Sequence, residues 1–237
     1  MSLTSYNNTV KEVVKTDQSI YDSFNSLIFS SDVKIIAKLL ARADLIKKVK
    51  NVPGDIVELG VFKGSGMASF LKLKDIYYPS ISPMKVIGFD FFDTESLISS
   101  LSGDDKDKMN SLFVDREFKH NNDAVNKLKE SFNKMGYSEG DYELIPGDIN
   151  TSVKQFVDSR PGFRARLVYI DVDLSEPTLN ALKALWPVIP RGGYVVLDEY
   201  GIHQWSEAIG ADTFFNDIYV RYHATNIPCP TVYVEKL

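Results

Sequence analysis

The sequence has little sulfur and imidazole chemistry, with one cysteine, Cys229, and three histidines in 237 residues. A single thiol excludes an internal disulfide, and no Cys/His spacing matches a zinc site. We therefore expect a reducing, cytoplasmic environment. Long apolar runs are also absent. No stretch approaches the roughly 20 residues of a membrane span, and the first residues lack the pattern of a secretory signal, so no membrane association is expected.

Clustered positive charge is scarce as well. Asp and Glu outnumber Lys and Arg by 32 to 27, which gives a formal charge of −5, and the only basic run is Lys47, Lys48 and Lys50. Nonspecific nucleic-acid binding needs clustered cations, so no nucleic-acid partner is expected. Repeats, low-complexity tracts and flexible linkers are absent, which favours one domain. Hydrophobic residues make up 44% of the chain, enough for a substantial core.

The most informative stretch spans residues 54–66 and has the sequence GDIVELGVFKGSG. An apolar strand carrying Glu58 leads into a glycine-rich turn, and a helix is expected to start near Ser65. The turn contains Gly60, Gly64 and Gly66. Their spacing matches neither the dinucleotide fingerprint nor the phosphate-binding loop, and a carboxylate there favours a cationic ligand such as S-adenosylmethionine. The alternative is an ordinary turn whose glycines only relieve crowding.

Further strands and helices alternate along the chain. Strands are predicted at 84–89, 142–145, 167–170 and 194–197, with the last strands in the tail around 231–234. Helices are predicted from Ser31 or Asp32 to Lys48, from Asn121 or Asn122 to Gly136, over 178–186 and over 207–218. Residues 94–120 are predicted to be a long loop or lid, and the residues before Ser31 a flexible cover. This alternation predicts a doubly wound, parallel α/β sheet with helices on both faces.

Carboxylates stand at the ends of all five strands. They are Glu58, Asp90, Asp148, the pair Asp171 and Asp173, and the pair Asp198 and Glu199. In an open parallel sheet these ends meet at one edge, where ligands bind. Mutual repulsion makes such a cluster costly unless cations or hydroxyl-rich ligands occupy it. Asp90 suits the two hydroxyls of a ribose, although a cap for the next turn is an equally good interpretation.

Taken in this order, the motifs resemble those of class I S-adenosylmethionine-dependent methyltransferases, and more narrowly the macrocin-type O-methyltransferases that methylate sugar hydroxyls. The matching stretches are GDIVELGVFKG, IGFDFFDTE, YELIPGDI, LVYIDVDLSEPT and RGGYVVLDEYG followed by AIGADTFF. The resemblance covers about residues 50–216. It implies a Rossmann-like domain over 51–237, with a mostly parallel seven-stranded sheet whose last strand is antiparallel. An N-terminal helical or lid segment over 1–50 would complete a single domain.

The resemblance also implies a role for each strand-end residue. S-adenosylmethionine would be held by Glu58, Gly60, Val61, Gly64, Ser65, Asp90, Phe91, Asp148, Ile149 and Asp171. A divalent cation, usually Mg²⁺, would be held by Asp171, Asp198 and Glu199. Asp173, the second aspartate of the D-x-D motif, would be the general base, and His203 in the loop after the fifth strand is the rival base.

The expected reaction is therefore methylation of a hydroxyl on a sugar, a nucleotide sugar or another polar small molecule. A homodimer is compatible with the sequence. The chain departs from the family pattern at Val172, Ser175 and Pro177, on the acceptor side, and has Glu199 where an aspartate is common. Two alternatives stay open. One is a Rossmann-like enzyme with a different nucleotide cofactor, and the other is a binding protein that kept the fold and lost the chemistry.

Overall fold

The structure is a computed structural model that describes residues 18–78, 84–117, 119–121 and 123–237. The strands in these residues are β1 Asp55–Leu59, β2 Val86–Asp90, β3 Tyr142–Pro146, β4 Ala165–Ile170, β5 Tyr194–Leu197, β6 Tyr222–Ala224 and β7 Val232–Glu235. They form one sheet in the order β3-β2-β1-β4-β5-β7-β6. The first five strands are parallel, and β7 pairs antiparallel with β5 and β6. The predicted mostly parallel, seven-stranded sheet with an antiparallel last strand is confirmed.

Helices alternate with these strands, as the sequence pattern predicts. In the described part of the chain they are α1 Gln18–Ile28, α2 Lys34–Lys48, α3 Ser65–Tyr77, α4 Thr94–Ser100, α5 Gly103–Asp115, α6 Ala124–Lys134, α7 Ile149–Asp158, α8 Ser175–Leu185 and α9 Glu207–Phe215. A short 3₁₀ turn, Trp186–Val188, follows α8. None of the described helices combines the length and the apolar character needed to cross a membrane.

Alternate residues of the central strands enter two separate apolar cores. In β4, Leu167 and Tyr169 pack in the core that contains residues of α2, α3 and α6. Val168 and Ile170 pack in the other core, with residues of α7, α8 and α9. This period of two is expected for a strand that is buried on both faces. By the same alternation, Glu58 of β1 lies on the side of α2, which determines what it can contact.

Residues 94–120 differ most from the prediction, because α4 and α5 replace the predicted long loop. The charged GDDKDK run forms the start of α5, with Asp104 and Asp105 in its first turn. Carboxylates at a helix N-terminus interact favourably with the helix dipole, so this run starts a helix rather than preventing one. Asp93 caps α4 by accepting a hydrogen bond from the backbone N–H of Ser96. The prediction of a loop was wrong because these acidic residues are typical of loops and also of the first turn of a helix.

Other boundaries shift by a few residues. The Asp32 carboxylate accepts hydrogen bonds from the N–H groups of Lys34 and Ile35 and so begins α2 as predicted. The prediction omitted α7, and α8 begins at Ser175 because Pro177 is tolerated in the first turn of a helix. Residues 18–28 of the predicted flexible cover form α1, and residues 1–17 lie outside the described part. Asn122, one of two predicted helix caps, also lies outside it.

Candidate functional site

A cavity of about 530 Å³ opens at the carboxyl edge of the parallel strands. Its size is typical of small-molecule sites. The predicted site residues that line it are Glu58, Gly60, Val61, Ser65, Asp90, Phe91, Asp148, Ile149, Asp171, Asp173 and Glu199. Three others do not: Gly64, Asp198 and His203. The alternation of strands and helices therefore brings most of the predicted residues to one concave surface.

The glycines of the first loop are needed because protein atoms crowd them. A Cβ on Gly60, whose φ is +86°, would lie 2.0 Å from the carbonyl oxygen of Asp171. A Cβ on Gly66 would lie 1.8 Å from Oε1 of Glu58. Gly64 packs against Leu128 instead of lining the cavity. These contacts match the alternative interpretation, in which the glycines relieve crowding, and they also hold the loop close to the ends of β1 and β4.

Two carboxylates on one side of the cavity organise the neighbouring backbone. Asp90 accepts hydrogen bonds from the N–H of Phe62 and the N–H of Phe92, both at 2.9 Å. Asp148 caps α7 by accepting from the N–H of Asn150, also at 2.9 Å. A carboxylate has about four acceptor positions, so each of these side chains keeps capacity for a ligand hydroxyl or amine.

Glu58 is almost completely enclosed, with 1% of its surface exposed. Its Oε1 lies 3.3 Å from the Arg42 guanidinium, which sits over the Tyr169 ring at 4.7 Å. Burial raises the pKa of Glu58 to about 7, although Arg42 opposes this shift. Within the described residues, Oε2 of Glu58 has no hydrogen-bond partner. An ammonium donor from a ligand would satisfy that oxygen and favour the ionised form.

The acidic centre lies at the ends of β4 and β5. One oxygen from each of Asp171, Asp173 and Glu199 lies within 4.8 Å of the others. Asp198 is fully buried beneath them, and its Oδ1 accepts a hydrogen bond from the Tyr169 hydroxyl at 2.5 Å. Burial and the neighbouring Asp171 raise the pKa of Asp198 to about 6. Four carboxylates thus meet at the place that the sequence predicts.

Asp173 has an unusual backbone conformation for a non-glycine residue, with φ of +65°. Its carbonyl oxygen accepts a hydrogen bond from the N–H of Ser206, which ties the D-x-D turn to the loop before α9. Burial, followed by the charges of Asp171, Glu199 and Asp198, raises the pKa of Asp173 well above its ordinary value. Non-glycine residues with a left-handed backbone conformation are often found at functional sites, where the surrounding structure holds them in that conformation.

The cations of this centre come from α2 and were missed in the sequence. Lys38 Nζ lies 2.8 Å from Oδ2 of Asp171 and 2.8 Å from Oδ2 of Asp198. Lys34 Nζ lies 3.4 Å from Oε1 of Glu199. Burial opposes the charge of Lys38, but the two aspartates outweigh it and raise the pKa of Lys38 above its ordinary value. The expected repulsion among unpaired carboxylates is therefore relieved by side chains of the protein itself.

Comparison with known proteins identifies the family to which the chain belongs. The sequence model of the family described as TylF, macrocin-O-methyltransferase, matches residues 36–236. The chain belongs to the TylF family. This match covers both the carboxylates of the acidic centre and the first glycine loop, and it begins within α2.

Two curated relatives agree with the TylF assignment. The chain is 28% identical over 167 residues to an 8-demethyl-8-(2,3-dimethoxy-alpha-L-rhamnosyl)-tetracenomycin-C 4'-O-methyltransferase of Streptomyces olivaceus, covering 67% of this chain and 57% of that protein. It is 25% identical over 162 residues to a demethyldecarbamoylnovobiocin O-methyltransferase of Streptomyces niveus, covering 63% and 54%. The chain thus matches a little over half the length of these relatives.

Solved structures share the fold. The calicheamicin methyltransferase CalS11 superimposes with a TM-score of 0.72 at 23% identity, covering 98% of this chain and 91% of that one. The O-methyltransferase NovP gives a TM-score of 0.66 at 21% identity, covering 85% of this chain and 80% of that one. At these identities the superpositions support the fold alone, which is the Rossmann-like fold of class I methyltransferases.

Two further buried residues contact the acidic centre without lining the cavity. Glu207 accepts a hydrogen bond from the N–H of Glu199 at 2.9 Å and is fully buried, which raises its pKa well above the ordinary value. Cys229 Sγ lies 3.7 Å from Oε1 of Glu199, and burial raises the pKa of this thiol to about 12. A thiol in that state is a weak ligand and a weak nucleophile. Neither residue can be assigned to this centre from the sequence, because each comes from a segment remote from the carboxyl ends of β4 and β5.

The carboxylate oxygens of the acidic centre suit a hard divalent cation, but one of the three predicted metal ligands does not line the cavity. Asp171 and Glu199 offer oxygens to the cavity, together with Asp173, and oxygen ligands suit Mg²⁺. Asp198, the third predicted ligand, is enclosed and paired with Lys38 and Tyr169. A cation could therefore be held by Asp171 and Glu199 from the cavity side.

Another part of the cavity wall is formed by α4, α5 and the residues that follow them. Met109, Leu112 and Phe113 of α5 line it, and His120 Nε2 lies 2.7 Å from the carbonyl oxygen of Phe62. Their helical spacing was the available signal, but the charged run before them obscured it. His203, the predicted rival base, is exposed and lies outside the lining, whereas its loop neighbour Trp205 belongs to it.

Proposed function

We propose that this protein transfers a methyl group from S-adenosylmethionine to a hydroxyl of a sugar or sugar-containing small molecule. The observation that carries the proposal is the division of one cavity into two halves. Glu58, Asp90 and Asp148 line one half, and Asp171, Asp173 and Glu199 line the other. The match of this chain to the TylF model, and relatives that are named as O-methyltransferases, one of them for a rhamnosyl-tetracenomycin, support a sugar acceptor.

The first half suits the cofactor. S-adenosylmethionine, when bound, supplies an electrophilic methyl group on a sulfonium. The unpartnered Oε2 of Glu58 would accept from the ammonium of its amino-acid end, and Asp90 would accept from the ribose hydroxyls with the capacity left by Phe62 and Phe92. Asp148 and Ile149 would flank the adenine. Each assignment uses an acceptor or apolar surface that faces the cavity.

The second half suits an acceptor hydroxyl. Methyl transfer needs the acceptor oxygen about 3 Å from the methyl carbon, and its proton must be removed. Asp173 lines the cavity and has an oxygen within 4.8 Å of Asp171 and Glu199, so we assign it the role of general base. A magnesium ion held by Asp171 and Glu199 would lower the pKa of the hydroxyl. His203 is the weaker candidate because it is exposed outside the cavity lining.

Calorimetric titration with S-adenosylmethionine and its demethylated product tests the cofactor half. We expect micromolar or tighter binding, and Asp90→Asn should weaken it by at least about tenfold through lost charge-assisted hydrogen bonds. Asp93→Asn is the matched control, because Asp93 caps α4 outside the cavity lining and should leave affinity unchanged. The absence of any heat at millimolar cofactor would rule out the proposal.

The acceptor half is tested with methyl-labelled S-adenosylmethionine and a panel of glycosides and nucleotide sugars. Label should appear on a hydroxyl of at least one sugar. Cofactor binding without turnover on any member of the panel would instead support a binding protein that kept the fold. The substitutions at Val172, Ser175 and Pro177 lie on the acceptor side, so the panel should include acceptors of different size.

A further inference from the structure

The basic residues of α2 follow the order of the sheet. Arg42, Lys38 and Lys34 are spaced by four residues, which places them on one face of the helix about 6 Å apart. Strands β1, β4 and β5 are neighbours in the sheet, about 4.8 Å apart. The two repeats nearly match, so α2 crosses the strand ends with one cation per turn.

Each cation meets the carboxylate of the strand below it. Arg42 contacts Glu58 of β1 at 3.3 Å, and Lys34 contacts Glu199 beyond β5 at 3.4 Å. Lys38, between them, is held by two carboxylates at 2.8 Å. Its side chain is 18% exposed, compared with 45% for Lys34. Lys38 therefore makes more ion pairs than Lys34 and is buried more deeply in the acidic centre.

The Lys38 ammonium contacts carboxylates that the family resemblance assigns to a divalent cation. Asp171 and Asp198 are two of the three residues that the resemblance assigns to the metal. Asp198 is fully buried, with Oδ1 bonded to Tyr169 and Oδ2 facing the ammonium. Mg²⁺ requires six oxygen ligands close to 2.1 Å, a geometry that an ammonium between the same two oxygens prevents. Both cations cannot use Asp198 at once.

We propose that Lys38 is a built-in competitor of the divalent cation, whose ammonium neutralises Asp171 and Asp198 and must leave before a metal can bind both. This inference deepens the proposed function, because it concerns the metal of the same site. Lys38 is a positioning residue: it holds the two aspartates in place and sets the metal affinity. The protein consequently keeps an ordered acidic centre without metal and binds Mg²⁺ or Mn²⁺ weakly.

The test is a titration of the full chain with Mn²⁺, in which the electron paramagnetic resonance signal of the free ion measures how much Mn²⁺ is bound. The wild type should bind with a millimolar dissociation constant, and Lys38→Met should bind at least about tenfold more tightly. Lys47→Met is the matched control on the same helix, because Lys47 contacts Asp44 on the surface and should leave Mn²⁺ affinity unchanged. Equal or weaker Mn²⁺ binding by Lys38→Met would overturn the proposal.

Thermal unfolding gives a second readout that a merely structural lysine would not produce. In chelator, Lys38→Met should melt below the wild type, and Mn²⁺ should restore most of the difference, whereas the wild type should respond little. Loss of stability that Mn²⁺ does not restore would contradict competition. Lys38→Gln keeps a hydrogen-bond donor without charge and serves if the methionine variant does not fold. A wild-type dissociation constant in the low micromolar range would contradict the proposal without any variant.

Cofactor titration on the same samples in chelator separates this inference from the proposed function. S-adenosylmethionine should bind wild type and Lys38→Met alike, because the cofactor half rests on Glu58, Asp90 and Asp148. Failure of every sample to bind the cofactor would count against the proposed function, and the Mn²⁺ affinities would still decide the role of Lys38.

Discussion

Glu58 combines nearly complete burial with a cationic neighbour, and its ionisation should influence stability. Burial raises its pKa to about 7 in the folded protein, above the ordinary value of 4.5. The unfolded chain therefore loses this proton at a lower pH than the folded one. The resulting stabilisation is complete below the unfolded pKa and is lost as pH rises through about 7.

We expect the free energy of unfolding of the wild type, relative to Glu58→Gln, to fall by about 1–3 kcal/mol between pH 5 and pH 8. Urea unfolding at several pH values measures it. Glu143→Gln is the control, because hydrogen bonds from Arg160 lower the pKa of Glu143 and its contribution changes only below this pH range. A difference that is flat from pH 5 to pH 8 would show that Glu58 is ionised throughout.

Asp173 is the second residue whose substitution is informative. Asparagine is among the few residues that tolerate a positive φ, so Asp173→Asn should preserve the turn at φ +65° while removing the base. We expect kcat to fall by about 10² or more, with cofactor affinity maintained. His203→Ala should leave kcat nearly unchanged. The opposite ranking of the two variants, measured with an accepted sugar, would make His203 the base.

At the scale of elements, α4 and α5 form a wall of the cavity with little support of their own. Thr94 is the buried residue of α4 and Met109 that of α5. One tie to the rest of the protein is the Ser206 hydroxyl, 3.5 Å from each carboxylate oxygen of Asp105. Elements with few buried contacts open at low free energy, and the prediction of a lid over the ligand therefore continues to apply to these two helices.

Hydrogen exchange should report this lid. We expect amides of residues 94–117 to exchange rapidly without ligand and to slow by about tenfold or more with the demethylated cofactor and an acceptor. The internal control is α7, whose Val153 and Phe156 are buried in the core, and which should exchange slowly in both states. Equally slow exchange of 94–117 in both states would identify α4 and α5 as fixed structure.

At the scale of the whole molecule, one sheet separates two apolar cores. Every central strand contributes side chains to both, so neither core can be lost without disrupting the other. We therefore expect residues 51–237 to unfold as a single cooperative unit. The two tryptophans report different places: Trp186 packs against Phe215 in one core at 5.0 Å, and Trp205 lies at the cavity.

Urea unfolding of Trp186→Phe and Trp205→Phe, each followed by the fluorescence of the remaining tryptophan, should agree with the far-ultraviolet circular dichroism of the same variant. Coincident transitions are the sign of two-state behaviour. An earlier transition at Trp205 alone would show that the cavity wall unfolds separately from the sheet.

The sequence by itself determined the α/β alternation, the turn after β1 and the row of carboxylates at the strand ends. These features depend on local sequence patterns, which are apolar strands such as 167–170, glycines at turns, and carboxylates directly after the carboxyl ends of parallel strands. Helices α4 and α5 have weak apolar patterns and were missed because tertiary contacts and helix-dipole interactions stabilise them more than periodicity does. Helix α7 was missed although its buried residues Ile149, Val153 and Phe156 stand at helical spacing.

Only the tertiary structure decided how the carboxylates are neutralised. The sequence shows Lys34, Lys38 and Arg42 at helical spacing, but the face of α2 that meets the sheet, and its register on the strand ends, depend on packing across the whole core. Ion pairs between residues more than 130 positions apart, such as Lys38 with Asp171 at 2.8 Å, follow from that docking. Local sequence determines where charges stand along each element, and the packing of elements determines which charges meet.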